Sequence, residues 1–198
     1  MSNKEASTYW IVDPRELDAL VLPIRLEIVD RLAALGPTRA RDLARALGRR
    51  QTALYHHLAK LEEVGLIRRT ERVRDGGRPA QYYETKAPLM RLARAAADPE
   101  LRPYIVRANH FQARQSARDY ERGFALDDRV MEGPQRNHWW ARVYMPATPD
   151  RMTKINALLD ELFEVAFEPE PQPSGAPLVS LAWFMAPLSD APDEESDA

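Results

Sequence analysis

The stretch GRRQTALYHHLAKLEEVGLIRR, residues 48–69, decides the fold of the amino-terminal half of this chain. Its apolar residues recur at a helical period and share one face: Leu54, Leu58, Leu61 and Val64. The opposite face is polar and begins with basic residues. Gly48 precedes the helix and Gly65 ends it, since glycine readily adopts the left-handed conformation found after a helix. The pattern predicts a helix with one buried face and a basic first turn.

Two shorter patterns precede this helix. Pro23 opens a helix with an apolar stripe, and Gly36–Pro37 ends it. The stripe consists of Ile24, Ile28, Leu32 and Leu35. Thr38 is expected to cap the next helix, which buries Leu43, Ala44 and Leu47 and ends at Gly48. Two helices joined by a glycine turn form a helix-turn-helix.

The sequence Asp13-Pro14-Arg15-Glu16 predicts the start of a further short helix, which runs to about Leu20. Asp13 is expected to cap it, and Pro14 suits the first helical position. Glu16 occupies the position from which a capping-box carboxylate reaches back to the cap.

A β-hairpin is predicted directly after the long helix. Leu66–Ile67 begins the first strand, 80–85 forms the second, and Gly76–Gly77 supplies the tip. This hairpin adds a wing, so residues 13–86 are predicted to form a winged helix-turn-helix domain.

The charge of the chain is unevenly distributed. The formal net charge is −2, but residues 36–86 carry 12 Lys+Arg against 6 Asp+Glu. Positive charge concentrated on a helix-turn-helix is what contact with DNA phosphates requires. The sequence therefore predicts a surface for double-stranded DNA.

In a helix-turn-helix the second helix lies in the major groove, and the residues of its first turns meet the bases. The exposed residues at these positions are Arg49, Arg50, Gln51, Thr52, Tyr55 and His56. Arginine pairs with guanine and glutamine with adenine through two hydrogen bonds. Arg74 and Arg78 flank the wing tip, where they are expected to reach the minor groove or its phosphates. The residues expected to neutralise the phosphate backbone are Arg39, Arg41, Arg45 and Lys60.

A single exposed arginine is usually solvated surface, and a lone amphipathic helix usually only packs. The joint arrangement of these elements resembles the winged-helix domain of the ArsR-type transcriptional regulators, in their broad sense. The resemblance covers Leu20 to Thr85, through LPIRLEIVDRLAALG, RDLARALGRRQTALYHHLAKLEEVGLIRR and GRPAQYYET. It implies a homodimer on an inverted repeat, groove-facing Gln51, Thr52, Tyr55 and His56, and a largely structural position for His57.

The chain departs from that family at two points. Family members usually have a serine or threonine cap where Arg50 stands. The family's best-known members sense metals through cysteines, and this chain has no cysteine, so metal sensing by that route is not expected. Its four histidines lack the spacing of a metal site, because His56 and His57 are adjacent and His110 has no histidine or carboxylate three or four residues away. No metal and no cofactor is predicted.

The carboxy-terminal half is predicted to contain three further parts. Residues 87–125 form a linker, helical over 89–97, and a long dimerisation helix that starts at Arg102. Residues 136–188 form a small strand–helix–strand module, with strands at 139–145 and 178–186 and an amphipathic helix between them. Its apolar side is Met152, Ile155, Leu158, Leu159, Leu162, Phe163 and Phe167. Residues 189–198 carry five acids and are expected to be a disordered tail. The fold class is α+β and mainly helical.

Two interpretations of the carboxy-terminal aromatics remain open. In the first, these aromatic side chains fill a core or a dimer interface. In the second, they line an apolar pocket for a small-molecule effector. The residues concerned are Trp139, Trp140, Tyr144, Trp183 and Phe184. The long helix also carries a stripe of arginines, namely Arg107, Arg114, Arg118 and Arg122. This stripe is expected to face solvent or the acids of a partner chain, and contact with DNA and contact with an anionic ligand are the alternatives.

No catalytic motif is present, such as Gly-x-Ser-x-Gly, a phosphate-binding glycine loop or His-Glu-x-x-His, so no enzyme is predicted. The chain has no secretion signal and no apolar stretch long enough to span a membrane, which favours a cytoplasmic location. The sequence thus predicts a homodimeric, sequence-specific transcriptional regulator, a repressor by resemblance. The alternative is a winged-helix module that binds protein instead of specific DNA.

Overall fold

The computed structural model describes residues 8–72, 80–166 and 178–188. The chain is α+β and mainly helical, as predicted. Its elements, in order, are β1 (Thr8–Trp10), α1 (Pro14–Leu20), α2 (Pro23–Leu35), α3 (Ala40–Ala46), α4 (Gln51–Glu63), β2 (Ile67–Arg72), β3 (Ala80–Thr85), β4 (Leu89–Arg91), α5 (Arg102–Gly123) and α6 (Pro149–Ala166), with a 3₁₀ helix at Ala93–Ala97 before α5. Among the described helices, none is both long and apolar enough to cross a membrane.

The described residues belong to two compact units. The first runs to Phe111 and takes in the segment from Pro146, and the second holds residues 112–145 and the segment after Pro171. Both the N-terminal helices and the wing belong to the first unit.

The core of the first unit is built from the apolar stripes of α1 to α4 and the first residues of β2. Its largest fully buried side chains are Leu17, Ile28, Leu32, Leu43, Leu54, Leu58, Leu61, Leu66 and Ile67. Most of them were predicted from helical spacing, because a 3.6-residue period places them on one side of each helix. This packing fixes α4 on α2 and α3 and leaves its other face to solvent.

Gly48 and Gly65 end α3 and α4 as predicted. Both have positive φ, +61° and +78°. After α3, the amide of Arg49 donates to Ala44 O at 2.8 Å, and after α4 the amide of Leu66 donates to Leu61 O at 3.0 Å. These are the bonds of a Schellman motif, in which the left-handed residue lets the chain turn back. The two glycines therefore set where α4 can begin and where the wing starts.

Substitution of Gly65 by alanine is expected to lower the free energy of unfolding by about 1–2 kcal/mol, because a Cβ is strained at this φ. Nothing lies within 4 Å of the added Cβ, so the cost is conformational. Gly65→Asn is the matched variant and is expected to lose less, since asparagine tolerates the left-handed region. Urea titration of the three chains measures the difference. An alanine variant as stable as the wild type would refute this role for Gly65.

The start of α1 confirms one prediction and corrects another. Asp13 caps the helix, with Oδ1 accepting from the Arg15 amide at 2.8 Å. Glu16 was predicted to complete a capping box, and this is wrong. Its carboxylate is buried and accepts from Tyr9 Oη at 2.8 and 2.9 Å and from Lys86 Nζ at 3.3 Å. Because the Glu16 carboxylate is bound by Tyr9 of β1 and by Lys86 at the end of the wing, it does not reach the cap.

Thr38 was predicted to cap α3, and the structure contradicts this. The helix begins at Ala40 after Arg39, with no side-chain cap. The main chain of Thr38 instead bridges Tyr83 of β3 through two hydrogen bonds of 2.9 Å. The main chain of Thr38 is thus used for strand-like pairing with β3 and not for the start of α3. This pairing joins the turn before α3 to the wing.

The wing is a two-stranded antiparallel sheet, as predicted. β2 pairs with β3 in a register that runs from Ile67 opposite Thr85 to Arg72 opposite Ala80. The predicted tip, Gly76–Gly77 with Arg74 and Arg78, lies outside the described residues.

A second small sheet was not predicted. β1 pairs in parallel with β4, with Tyr9 opposite Met90. The helix predicted over 89–97 is therefore wrong in its first part, where Leu89–Arg91 forms this strand, and only 93–97 is helical, as a 3₁₀ helix. Main-chain pairing with β1 overrides the helix preference of this alanine-rich segment.

The two later helices form near the predicted positions. α5 buries Ile105, Ala108 and Phe111. α6 has the predicted amphipathic pattern, yet none of its described residues is buried. Phe163 contacts the Arg91 guanidinium, whose Cζ lies 3.9 Å from the ring centroid. Phe167, the proline-rich segment after it and the acidic tail lie outside the described residues.

The predicted strands at 139–145 and 178–186 do not form in the single chain. Both segments are described and belong to no helix or sheet. A strand needs a neighbouring strand, and the sheets of the described residues place no strand beside either segment.

The second unit is organised around His138, which is buried. Its Nε2 lies 2.9 Å from Tyr120 O, near the end of α5. Its ring centroid is 4.3 Å from that of Tyr120 and 4.4 Å from that of Phe124. His138 therefore has a structural role at the end of α5.

Candidate nucleic-acid interface

The exposed face of α4 carries the side chains predicted to meet bases. Gln51, Thr52, Tyr55 and His56 are all exposed, opposite the buried Leu58 side of the helix. Gln51 Nε2 donates to Tyr55 Oη at 2.5 Å, one helical turn away. This bond orients the amide, which presents both a donor and an acceptor, on the surface expected to enter the major groove.

The start of α4 is the most basic part of this face. Arg49 and Arg50 are exposed, and neither makes an ion pair within the described residues. Arg50 is the N-cap residue and its side chain makes no capping bond. The first turn contains no acid, so its free amides add a partial positive charge. Because no serine or threonine side chain caps α4, its N-terminal amides stay free, and this end of the helix favours anions.

Asp42 organises the arginines of α3, which the sequence reasoning missed. Arg39 Nε lies 2.9 Å from Asp42 Oδ2, Arg41 Nε lies 3.4 Å from Oδ1, and Arg45 Nη1 lies 3.6 Å from Oδ1. Arg39 and Arg45 stand three residues on each side of Asp42, and this spacing is the signal that was available. One carboxylate against three guanidinium groups leaves net positive charge beside α4, while holding the side chains in place.

The acids of α4 lie at its other end, and each has a basic partner. Glu62 Oε1 is 2.6 Å from Arg69 Nε, and Glu63 Oε1 is 2.8 Å from Lys60 Nζ. The ammonium of Lys60 lowers the pKa of Glu63. Lys60 also lines a groove with Asp13, Asp18 and Tyr104. Its predicted contact with phosphate stays a prediction, and its ammonium is already paired with Glu63, unlike the guanidinium groups of Arg49 and Arg50.

His57 is more buried than His56. Burial lowers the pKa of the His57 imidazole, and the nearby positive charge of Arg25 lowers it further. His57 is therefore neutral at pH 7 and is not a cationic contact, in keeping with the structural position that the resemblance implies.

The base of the wing is held by ion pairs. Arg68 Nε lies 2.7 Å from Glu84 Oε1, across the two strands, and Arg69 joins the wing to α4 through Glu62. Arg74 and Arg78 lie outside the described residues, so their contact with DNA stays a prediction.

The aromatics considered for an effector pocket are exposed. Their exposed fractions range from 38% for Trp183 to 70% for Trp140. Trp139 and Tyr144 are approached by Arg136 and Arg142, with guanidinium-to-centroid distances of 5.6 and 5.0 Å. The described residues hold no cluster of three His, Asp or Glu side chains suited to a metal ion.

Part of the first unit matches a known family. Residues 23–69, which run from the start of α2 into β2, match the sequence model described as bacterial regulatory protein, arsR family. The match covers both helices of the helix-turn-helix and the base of the wing. No curated protein matches the chain.

Proposed function

From the premise that residues 23–69 are an ArsR-family helix-turn-helix domain, which makes the chain a DNA-binding transcriptional regulator, we propose that it acts as a homodimeric repressor. Each copy places α4 in the major groove of one half of an inverted repeat. Arg49, Arg50 and Gln51 contact base edges, and Arg39, Arg41 and Arg45 contact phosphates.

The unpaired, basic start of α4 is the observation that carries this proposal. Acids elsewhere on the helix are matched by cations, whereas Arg49 and Arg50 have no acid within the described residues. DNA phosphates and guanine edges supply the missing anionic and acceptor groups. The wing, through Arg74 and Arg78, would follow the adjacent minor groove.

Two recognition helices are needed to read an inverted repeat, and a dimer supplies them at a fixed spacing. The long helix α5 and the segments after it are the parts of the chain not used for DNA contact, and we assign dimerisation to them. An effector or partner would act by changing the spacing of the two recognition helices. Of the two interpretations of the exposed aromatics, their exposure favours an interface over a closed pocket.

The alternative, a winged-helix module that binds protein, is less well supported. Protein interfaces are depleted of charge at their centre, whereas the first turn of α4 is flanked by two exposed arginines and the arginines of α3. A protein-binding helix has no need of this concentration.

Salt dependence separates the two functions. Contacts with phosphates release counterions, so log K falls linearly with log salt at a slope of about −0.9 per contact. A dimer that makes on the order of eight phosphate contacts is expected to show a slope of about −7 on a duplex that contains its operator. Fluorescence anisotropy at about 50 to 200 mM salt measures the binding constant and therefore the slope. A chain that binds no duplex even at the lowest salt would contradict the proposal.

A further inference from the structure

One side of α6 is apolar, and the fold of the first unit uses only part of it. Met152, Leu159 and Phe163 form a half-buried row, and the Phe163 ring centroid lies 3.9 Å from the guanidinium Cζ of Arg91 in β4. This row is the contact of α6 with the rest of the first unit. Beside it lies a second apolar row, which is largely left to solvent.

The second row, which we call the α6 seam, comprises Ile155, Leu158, Leu162 and Val165. Leu158 is 64% exposed and Val165 is 66% exposed, so the centre and the end of the seam are open to water. Its alternating spacing of three and four residues is that of the contact line between two packed helices, which repeats about every 3.5 residues. The α6 seam therefore has the pattern of a surface that a second helix covers.

Two charged side chains of opposite sign flank the α6 seam. Lys154 and Glu161 are exposed, stand seven residues apart on the same side of the helix, and make no ion pair within the described residues. Seven residues are two helical turns, or about 10 Å along the axis, so the two charges mark opposite halves of the seam. Each is available to an opposite charge on a second surface.

The positions of these residues are symmetric about one point. Lys154 and Glu161 stand on either side of Leu158, to within half a residue, and so do Ile155 and Leu162. A two-fold axis that crosses the helix at Leu158 therefore brings unlike charges together and apolar side chains together. Such an axis runs two copies of α6 antiparallel, whereas a parallel pair would set each charge beside its own copy.

We propose that α6 pairs antiparallel with α6 of a second copy of this chain, about a two-fold axis at Leu158. The Leu158 side chains of the two copies meet at the axis, and Ile155 of each copy packs on Leu162 of the other. Lys154 of each copy forms an ion pair with Glu161 of the other. The antiparallel orientation is also favourable for the helix dipoles, because the negative end of one lies beside the positive end of the other.

A second copy fits the α6 seam better than DNA does. The charged residues in the carboxy-terminal half of α6 are all acids, Asp160, Glu161 and Glu164, which repel phosphates. A two-fold contact between identical chains needs a surface that complements itself. A seam with one basic and one acidic half meets this requirement without any further component.

The inference rests on the proposed function for the existence of the dimer, and it adds where the two copies meet. A stable interface buries about 800 Å² on each partner and involves roughly 20–30 residues a side. The α6 seam and its two flanking charges supply only part of such an interface. Substitutions in α6 are therefore expected to weaken the dimer and not to abolish it.

An exchange of charge between two variants of the full chain tests the ion pairs. Lys154→Glu gives the seam an acid on both halves, and Glu161→Lys gives it a base on both halves. Each variant alone is expected to dimerise about tenfold more weakly, because two attractive pairs become repulsive ones. An equimolar mixture is expected to regain the wild-type affinity, since every charged contact across the axis again joins unlike charges. Sedimentation equilibrium at low salt, with one variant fluorescently labelled, measures these affinities.

Leu158→Asp tests the apolar centre of the pairing. It sets two carboxylates against each other at the axis and is expected to weaken dimerisation about a hundredfold. Thr153→Asp is the matched control, because it adds one acid on the opposite, exposed side of α6, and it is expected to change the affinity little. Thermal unfolding of each variant shows whether the fold is kept.

Three results would overturn the inference. The first is a mixture of the two charge variants that dimerises no better than either variant alone. The second is an equal dimer affinity for Leu158→Asp and Thr153→Asp. The third is a Leu158→Asp chain whose melting temperature falls while its dimer affinity is unchanged, because the seam would then be covered by another part of the same chain.

Duplex binding by the same chains separates the inference from the proposed function. A dimer that binds a duplex but is indifferent to all of these substitutions would refute the pairing of α6 and leave the proposed function standing. Dimerisation that follows the exchange of charge, in a chain that binds no duplex even at low salt, would refute the proposed function and support the pairing of α6.

Discussion

Replacement of Arg49 and Arg50 together by alanine is expected to weaken binding to the operator by about a hundredfold or more. A bidentate contact from arginine to guanine contributes roughly 1–3 kcal/mol of discrimination, and tenfold in affinity corresponds to about 1.4 kcal/mol. The two side chains make no ion pair within the described residues, so their loss leaves no buried charge unmatched. The expected effect is therefore on DNA binding and not on folding.

The matched control replaces Arg102 and Arg151 by alanine. Both are exposed residues of the same unit, outside the helix-turn-helix, and the double variant removes the same charge. Titration of operator and scrambled duplexes compares the two variants. The control is expected to bind like the wild type, while R49A/R50A is expected to lose the difference between operator and scrambled DNA. Equal losses in both variants would show that α4 acts only through general charge.

Replacement of Glu16 by alanine is expected to lower the free energy of unfolding by about 2–3 kcal/mol. The carboxylate is only 4% exposed and accepts hydrogen bonds from Tyr9 and Lys86. Its removal leaves the Tyr9 phenol without its acceptor, and loss of a hydrogen bond to a charged group costs about 1.5–3 kcal/mol, while solvent satisfies much of the half-exposed Lys86 ammonium. Lys86 Nζ also lies 3.7 Å from the centroid of the Tyr9 ring, so β1 and the end of the wing are loosened together.

Two further variants locate the cause of that loss. Asp18→Ala removes an exposed acid from the same helix and is expected to change stability by less than about 0.5 kcal/mol. Tyr9→Phe removes only the hydroxyl and is expected to cost about 1–2 kcal/mol. Urea titrations of the wild type and the three variants give the order. A Glu16→Ala chain as stable as the Asp18→Ala chain would contradict a stabilising role for this cluster.

The helices of the first unit could be predicted because their information is local. The spacing of Ile28, Leu32 and Leu58 fixes the buried faces, and Gly48 and Gly65 mark the ends through their own backbone preference. The parallel pair β1–β4 could not be predicted in this way. Each strand has three residues, too few to show a period, and the two lie about eighty residues apart.

Side-chain roles that depend on distant partners were the ones predicted wrongly. Glu16 has the spacing of a capping box, but its partners Tyr9 and Lys86 are brought to it only by the fold. Thr38 has the preference of a cap, but Tyr83 engages its main chain. Local preference is weak compared with the need to satisfy buried polar groups.

The candidate site was predictable in its positions and less so in its electrostatics. The exposed face of α4 follows from helical period, which places Thr52 and His56 opposite Leu58. The helical period does not tell which cationic side chains remain without an ion pair. Lys60 has an acid three residues away and Arg50 has none, yet only the structure shows the Lys60–Glu63 pair formed. In the carboxy-terminal half, strand-like sequence predicted two strands that do not form among the described residues.

The most direct measurement of the central claim is selection of binding sites by the full chain from a pool of random duplexes at low salt. The account predicts enrichment of an inverted repeat with its half-sites one helical turn apart, about 10 base pairs from centre to centre. It also predicts that R49A/R50A enriches no such sequence from the same pool. Recovery of no preferred sequence by the wild-type chain would contradict the account.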